Sequence, residues 1–188
     1  MAEHNRLVAI IFMLVACISS AVASETVNFQ HLSLNSMFPQ ITINGLYQDE
    51  SGVLWIGTKD GVKKYNGNYI ESVNFMGINN WIQSNLVPTI CGDKKGHLYV
   101  NTDYSIIEYD LIKEESRIIF SQPNTQILPS IAFNYGINSL WIGLLDSVYN
   151  YKEGICQAKY KIDSNNLSIS SLKEASDKML YIGTKHDG

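Results

Sequence analysis

Gly52-Val53-Leu54-Trp55-Ile56-Gly57-Thr58 decides how this chain folds. The segment is apolar and β-branched, too short for a helix, and flanked on both sides by turn chemistry, so it reads as a buried strand. In front of it stands Asp49-Glu50-Ser51-Gly52. An Asp side chain accepts hydrogen bonds from backbone amides two residues on, and Gly tolerates positive φ, so these four residues predict a tight turn. Behind it, Lys59-Asp60-Gly61 contains the Asp-Gly pair favoured in hairpins. Moving outward, Ile43 to Gln48 reads as a preceding strand and Val62 to Tyr65 as a following one. Asn66-Gly67 supplies another turn, and Asn68 to Phe75 a fourth strand. Four short antiparallel strands in immediate succession describe one blade of a β-propeller.

The segment recurs. With Trp55 as anchor, equivalent aromatics are Tyr99, Trp141 and Tyr181, at spacings of 44, 42 and 40 residues. Each stands between two aliphatic residues: Leu54 and Ile56, Leu98 and Val100, Leu140 and Ile142, Leu180 and Ile182. A tyrosine follows ten residues after each of the first three: Tyr65, Tyr109 and Tyr151. Asp93 and Gly96 repeat the turn of Asp49 and Gly52, whereas Tyr135 and Asn138 replace that pair in the third repeat and Ala175 and Lys178 in the fourth. Self-similarity at this period predicts an all-β chain of about four blades in an incomplete ring, with repeats near 41–77, 86–122, 127–160 and 167–188. An aromatic in a second strand at blade spacing is expected to pack between neighbouring sheets. Asp49, Gly52, Trp55, Gly57, Asp93, Gly96, Tyr99, Trp141 and Tyr181 are therefore expected to be structural markers of the blades.

Composition agrees with a globular β protein. Hydrophobic residues form 45% of the 188 and charged residues 17%, with 13 glycines and 11 tyrosines. A formal net charge of −4 without runs of like charge gives no reason to expect nucleic acid as a partner. At the N-terminus, Leu7 to Ala16 has the length of a signal-peptide core, and Ala21-Val22-Ala23 resembles a cleavage site that starts the mature chain at Ser24. Residues 1–23 thus read as a signal peptide and 24–188 as the propeller segment, with no further membrane span. Leu14-Val15-Ala16-Cys17 also fits a lipobox, which would anchor the chain as a lipoprotein at Cys17; an uncleaved anchor is the third reading. All three export the rest of the chain. Cys91 and Cys156 lie in different repeats and are expected to be separate buried thiols.

Little in the sequence points to catalysis. His31, His97 and His186 are scattered, without metal-ligand spacing, nucleophile elbow or phosphate loop, so no catalytic residue, metal or cofactor is expected. The Asp-x-x-Gly turn lacks the run of acidic oxygens that calcium requires. Asn79-Asn80-Trp81, between the first two repeats, is the expected ligand contact: an apolar ring flanked by amides suits a sugar. Gln122-Pro123-Asn124-Thr125-Gln126 is a weaker second candidate.

The stretch Asn44 to Gly67, with Gly52-Val53-Leu54-Trp55-Ile56-Gly57-Thr58-Lys59-Asp60-Gly61 at its centre, resembles the two-component regulator propeller repeat, and Phe29-Gln30-His31-Leu32-Ser33 resembles the leader that opens such sensors. The resemblance runs from about residue 27 to 188 and is weakest in the third repeat. It implies the periplasmic sensor region of a hybrid two-component system, a non-enzymatic module reading oligosaccharides. Family members continue through more blades, a membrane helix, a histidine kinase and often a DNA-binding regulator, none of which follows here. The expectation is a truncated sensor propeller; alternatives are a module that assembles with another copy, or a propeller lyase or hydrolase.

Overall fold

The computed structural model describes Met1 and residues 42–75, 85–121, 129–162, 168–175, 177 and 179–185. All but Met1 belong to one compact unit, Pro39–Gly188. The signal segment with Cys17, the Asn79-Asn80-Trp81 segment and the 122–126 loop lie outside the described residues.

The described chain is all-β, with three four-stranded antiparallel sheets and one two-stranded sheet, each a simple meander. Blade one comprises β1 (Ile43–Gln48), β2 (Leu54–Thr58), β3 (Gly61–Tyr65) and β4 (Ile70–Val73). Blade two comprises β5 (Thr89–Gly92), β6 (His97–Asn101), β7 (Ser105–Asp110) and β8 (Glu115–Ser121). Blade three comprises β9 (Ser130–Asn134), β10 (Ser139–Leu144), β11 (Ser147–Lys152) and β12 (Ile155–Lys161), and blade four contributes β13 (Ile169–Glu174) and β14 (Leu180–Thr184). The fourth strand is shorter than the sequence suggested. Asn66 Oδ1 accepts the amides of Asn68 at 3.0 Å and Tyr69 at 3.1 Å, which holds both residues in the turn.

Register explains the aromatic repeat. In β2, Leu54 pairs with Tyr65 and Trp55 with Lys64; in β6, Leu98 pairs with Tyr109 and Tyr99 with Glu108; in β10, Leu140 pairs with Tyr151 and Trp141 with Asn150. Because side chains alternate across a strand, each anchor points to one face of its sheet and its aliphatic neighbours, with the tyrosine ten residues on, point to the other. Blade-to-blade packing uses both faces. Trp55 and Val62 of blade one meet Leu98, Val100, Ile107 and Tyr109 of blade two. Tyr99 and Ile106 of blade two meet Leu140, Ile142 and Tyr151 of blade three. Trp141 and Val148 of blade three meet Ile169, Leu172, Leu180 and Ile182 of blade four.

Trp55 and Tyr99 are accordingly buried, at 5% and 6% exposure, and Trp141 is half-buried. Tyr181 differs: it is 55% exposed, because it points away from blade three and no sheet among the described residues lies beyond β14. Buried or not, the first three anchors keep a polar tip, and each satisfies it on a carboxylate. Trp55 Nε1 donates to Asp49 at 2.8 Å, the Tyr99 hydroxyl to Glu108 at 3.3 Å, and Trp141 Nε1 to Glu174 at 2.8 Å.

Two residues past each of the first three anchors, the next blade approaches closely. A Cβ on Gly57 would lie 2.9 Å from Val87 Cγ1 and 3.1 Å from the Val87 carbonyl oxygen. Val87 N–H also donates to the Thr58 carbonyl at 2.9 Å, sewing the segment that enters blade two onto the end of β2. Blade two carries Asn101 at this place, and its Nδ2 donates to the Pro129 carbonyl, so a side chain takes over the link that contact makes elsewhere. Gly57→Ala should therefore destabilise the chain by about 1–3 kcal/mol through overpacking. A fall in the urea midpoint at constant slope is the expected reading; an unchanged midpoint contradicts the close approach.

Candidate functional site

The site begins with a turn. Asp49 Oδ1 accepts the backbone N–H of Ser51 at 2.9 Å and of Val53 at 3.0 Å, and the Ser51 hydroxyl at 2.6 Å, while Oδ2 takes the Trp55 indole. Burial would raise this carboxyl, but the hydrogen bonds from Ser51, Trp55 and Val53 outweigh it and hold Asp49 below the ordinary Asp range. Gly52 completes the turn at φ 86°. Blade two repeats the device: Asp93 Oδ1 accepts the amides of Lys95 at 2.7 Å and His97 at 2.9 Å, but Oδ2 faces His97 Nδ1 at 2.7 Å, a residue four places on, whereas Asp49 Oδ2 takes Trp55 six places on.

Blade three corrects the sequence alignment. The repeat spacing puts Tyr135 at the turn-Asp position, but Asn134 occupies it: its Oδ1 accepts the amides of Gly136 at 2.8 Å and Ile137 at 3.1 Å. The turn there is one residue longer, and Asn138 takes the positive φ, 51°, that glycine supplies in the first two blades. Tyr135 instead donates to the Gly92 carbonyl of blade two at 3.1 Å, with Lys94 Nζ 5.0 Å from its ring centroid.

In an antiparallel meander the β1–β2 and β3–β4 turns fall at one end of the blade and the β2–β3 turn at the other. Between blades one and two, at the first of these ends, lies a cleft of about 640 Å³. Its blade-one wall includes Asp49, Trp55, Lys64, Tyr69 and Glu71; its blade-two wall includes Lys94, Lys95, Tyr109, Ile112 and Glu114. Lys64 and Glu71 are cross-strand partners with Nζ 2.8 Å from Oε1, both about two-fifths exposed. The Glu71 hydrogen bond raises the Lys64 ammonium above its ordinary range, so Lys64 keeps its charge at neutral pH. Tyr69 and Ile112, 58% and 84% exposed, stand on opposite lips.

The matching place between blades two and three is narrower, about 240 Å³. There the cross-strand pair is Glu108 with Arg117, the charges reversed. Arg117 Nε donates to Glu108 Oε2 and its Nη2 to the Tyr151 hydroxyl at 3.0 Å, and Tyr151 reaches Glu108 at 3.5 Å. In blade three the pair is neutral, Asn150 opposite Gln157. The narrower hollow, lined by His97, Glu108, Asp110 and Arg117 among others, lies beside the Glu108–Arg117 bridge.

The cleft was not legible from sequence, which directed attention to Asn79, Asn80 and Trp81. Those three lie outside the described residues. The one available signal was Tyr69 directly after the Asn66-Gly67 turn. Burial pushes the Cys91 thiol up to about 12 and raises Cys156 as well, which keeps both protonated. Among the described residues no group of three or more His, Cys, Asp or Glu is placed to hold a metal ion.

Residues 37–60 match the family model described as two component regulator propeller. The chain carries this propeller repeat. Solved structures with the same fold include the extracellular domain of BT3049 from B. thetaiotaomicron, described as a hybrid two component system, at 20% identity and TM-score 0.65 over 86% of this chain and 23% of that one. A second is the extracellular domain of BT4673 from the same organism, at 19% identity and TM-score 0.63 over 76% and 20% of the two chains. Virginiamycin B lyase from Staphylococcus aureus shares the fold at 15% identity and TM-score 0.60 over 74% and 48%. No curated protein matches the sequence. The chain spans about a fifth of the length of the two extracellular domains, and the fold it shares with all three is the β-propeller. No helix among the described residues is long and apolar enough to cross a membrane.

Asp49 offers a direct check on the turn that shapes the cleft. Its folded-state carboxyl is held low, so its contribution to stability is present above the ordinary Asp range and is lost as pH falls through the lowered value. Asp49→Asn should lower the urea midpoint at pH 7 and flatten its decline below about pH 4. Parallel wild-type and variant curves down to about pH 2 contradict the assignment.

Proposed function

We propose that this chain is the N-terminal part of an exported ligand-sensing propeller of a hybrid two-component system, that it recognises an oligosaccharide, and that it performs no catalysis itself. The observation that carries the reading is the two component regulator propeller match at residues 37–60, set on blades whose register repeats from one sheet to the next. The extracellular domains of BT3049 and BT4673 share the fold and support an extracytoplasmic placement. The exposed face of Tyr181 supports a further reading, that additional blades or another copy pack beyond β14. Transmission to a kinase belongs to segments other than the blades described. The lyase likeness is one of fold alone, because active residues and not folds carry chemistry.

Titrating the full chain against an oligosaccharide array tests this reading, with product analysis of every bound sugar. Saturable binding without turnover is the expected result. Absence of binding across the array, or cleavage of a bound sugar, contradicts it.

A further inference from the structure

We infer that the cleft between blades one and two is the sugar-binding site of this propeller, and that it takes an uncharged oligosaccharide. The inference rests on the oligosaccharide-sensing reading above and adds where the ligand sits and what kind it is.

The comparison of the two junctions comes first. Between blades two and three this place narrows to about 240 Å³, with Arg117 and Glu108 reaching Tyr151. Blades one and two carry a cross-strand pair in the same register, yet Lys64 and Glu71 bond to each other and leave about 640 Å³ open beside Tyr109. Packing alone does not require that opening, and its volume lies within the roughly 300–1,000 Å³ typical of small-molecule sites.

The lining then selects the ligand. Tyr69 on one lip and Ile112 on the other give apolar surfaces for the C–H faces of sugar rings. Lys64 and Glu71, side by side at 2.8 Å and partly exposed, give a charged donor and a charged acceptor at the spacing of neighbouring hydroxyls. Lys64 shares this wall with the carboxylates of Asp49, Glu50, Glu71 and Glu114, whereas the Lys94 ammonium lies over the Tyr135 ring and Lys95 Nζ donates to Asn138 Oδ1 at 2.8 Å, both in blade three. Such a wall satisfies hydroxyls from both directions and does not concentrate anions, so sulfated and uronic sugars are disfavoured.

The test is calorimetric titration of the full chain with three panels: neutral oligosaccharides of two to four units, oligouronates, and sulfated oligosaccharides. Binding of a neutral member, nearly independent of salt between 50 mM and 500 mM, is expected. Tyr69→Ala should weaken it roughly tenfold or more, with the urea midpoint unchanged. Tyr160→Ala, which removes an equally exposed aromatic from β12, should leave affinity alone. Neutral binding untouched by Tyr69→Ala overturns the site while leaving the sensor reading intact. Preference for a charged panel overturns the ligand class. Failure of all three panels overturns both this inference and the reading beneath it.

Discussion

The contact between Trp55 of one blade and Tyr109 of the next, ring centroids 6.0 Å apart and edge to face, shows the constraint that governs this molecule. A blade of four short strands has two apolar faces and too little material of its own to cover either. Each sheet is therefore stable only as part of a stack, and the stack works because the two faces are different. One presents the anchor aromatic; the other presents an aliphatic pair and a tyrosine. Tyr109 packs against both Trp55 and Phe75, while Tyr99 stacks on Phe133 at 5.6 Å in the following junction. A repeat built this way propagates in one direction, since its faces differ.

Tyr109 and Tyr151, ten residues past the anchors Tyr99 and Trp141, have a second role. Each lies against the polar cross-strand pair of the preceding blade, so the character of that pair decides what the junction becomes. Glu108 is buried and needs its partners, and Arg117, Tyr99 and Tyr151 supply them. Lys64 and Glu71 are exposed enough to be solvated and satisfy each other, which is why one junction is bridged and its neighbour stays open. Reversal of charge at one register position separates a structural seam from a cavity without any change in the fold.

Much of the architecture was readable because its signals are local. Asp49 and Gly52 announce a turn through their own hydrogen bonding and φ preference, and β1 spans Ile43–Gln48 as the residues alone indicated. Where a residue did two things, reading failed. Asn66 caps a turn and thereby removes Asn68 and Tyr69 from the fourth strand. Asn134 sits at a strand end yet performs the Asp49 role, one place before the Tyr135 that the spacing from Trp141 indicates. The cleft was illegible for a different reason: it depends on which side of a blade-to-blade junction a lysine, a glutamate and a tyrosine meet, and residues from four turns separated by tens of positions compose it. Tyr181 fits its repeat by sequence and differs in exposure, because burial of an anchor is a property of the next blade and not of its own.

A double-mutant cycle at the first junction measures that dependence most directly. Trp55→Leu, Tyr109→Leu and the double variant of the full chain should be compared by urea denaturation, with Trp55 and Tyr151, which belong to different core clusters, as the reference pair. Stacking through opposite faces predicts a coupling of about 0.5–1.5 kcal/mol between Trp55 and Tyr109 and additivity for the reference pair. Additivity at Trp55 and Tyr109 within about 0.5 kcal/mol would contradict the claim that each blade is stabilised by the face of the next.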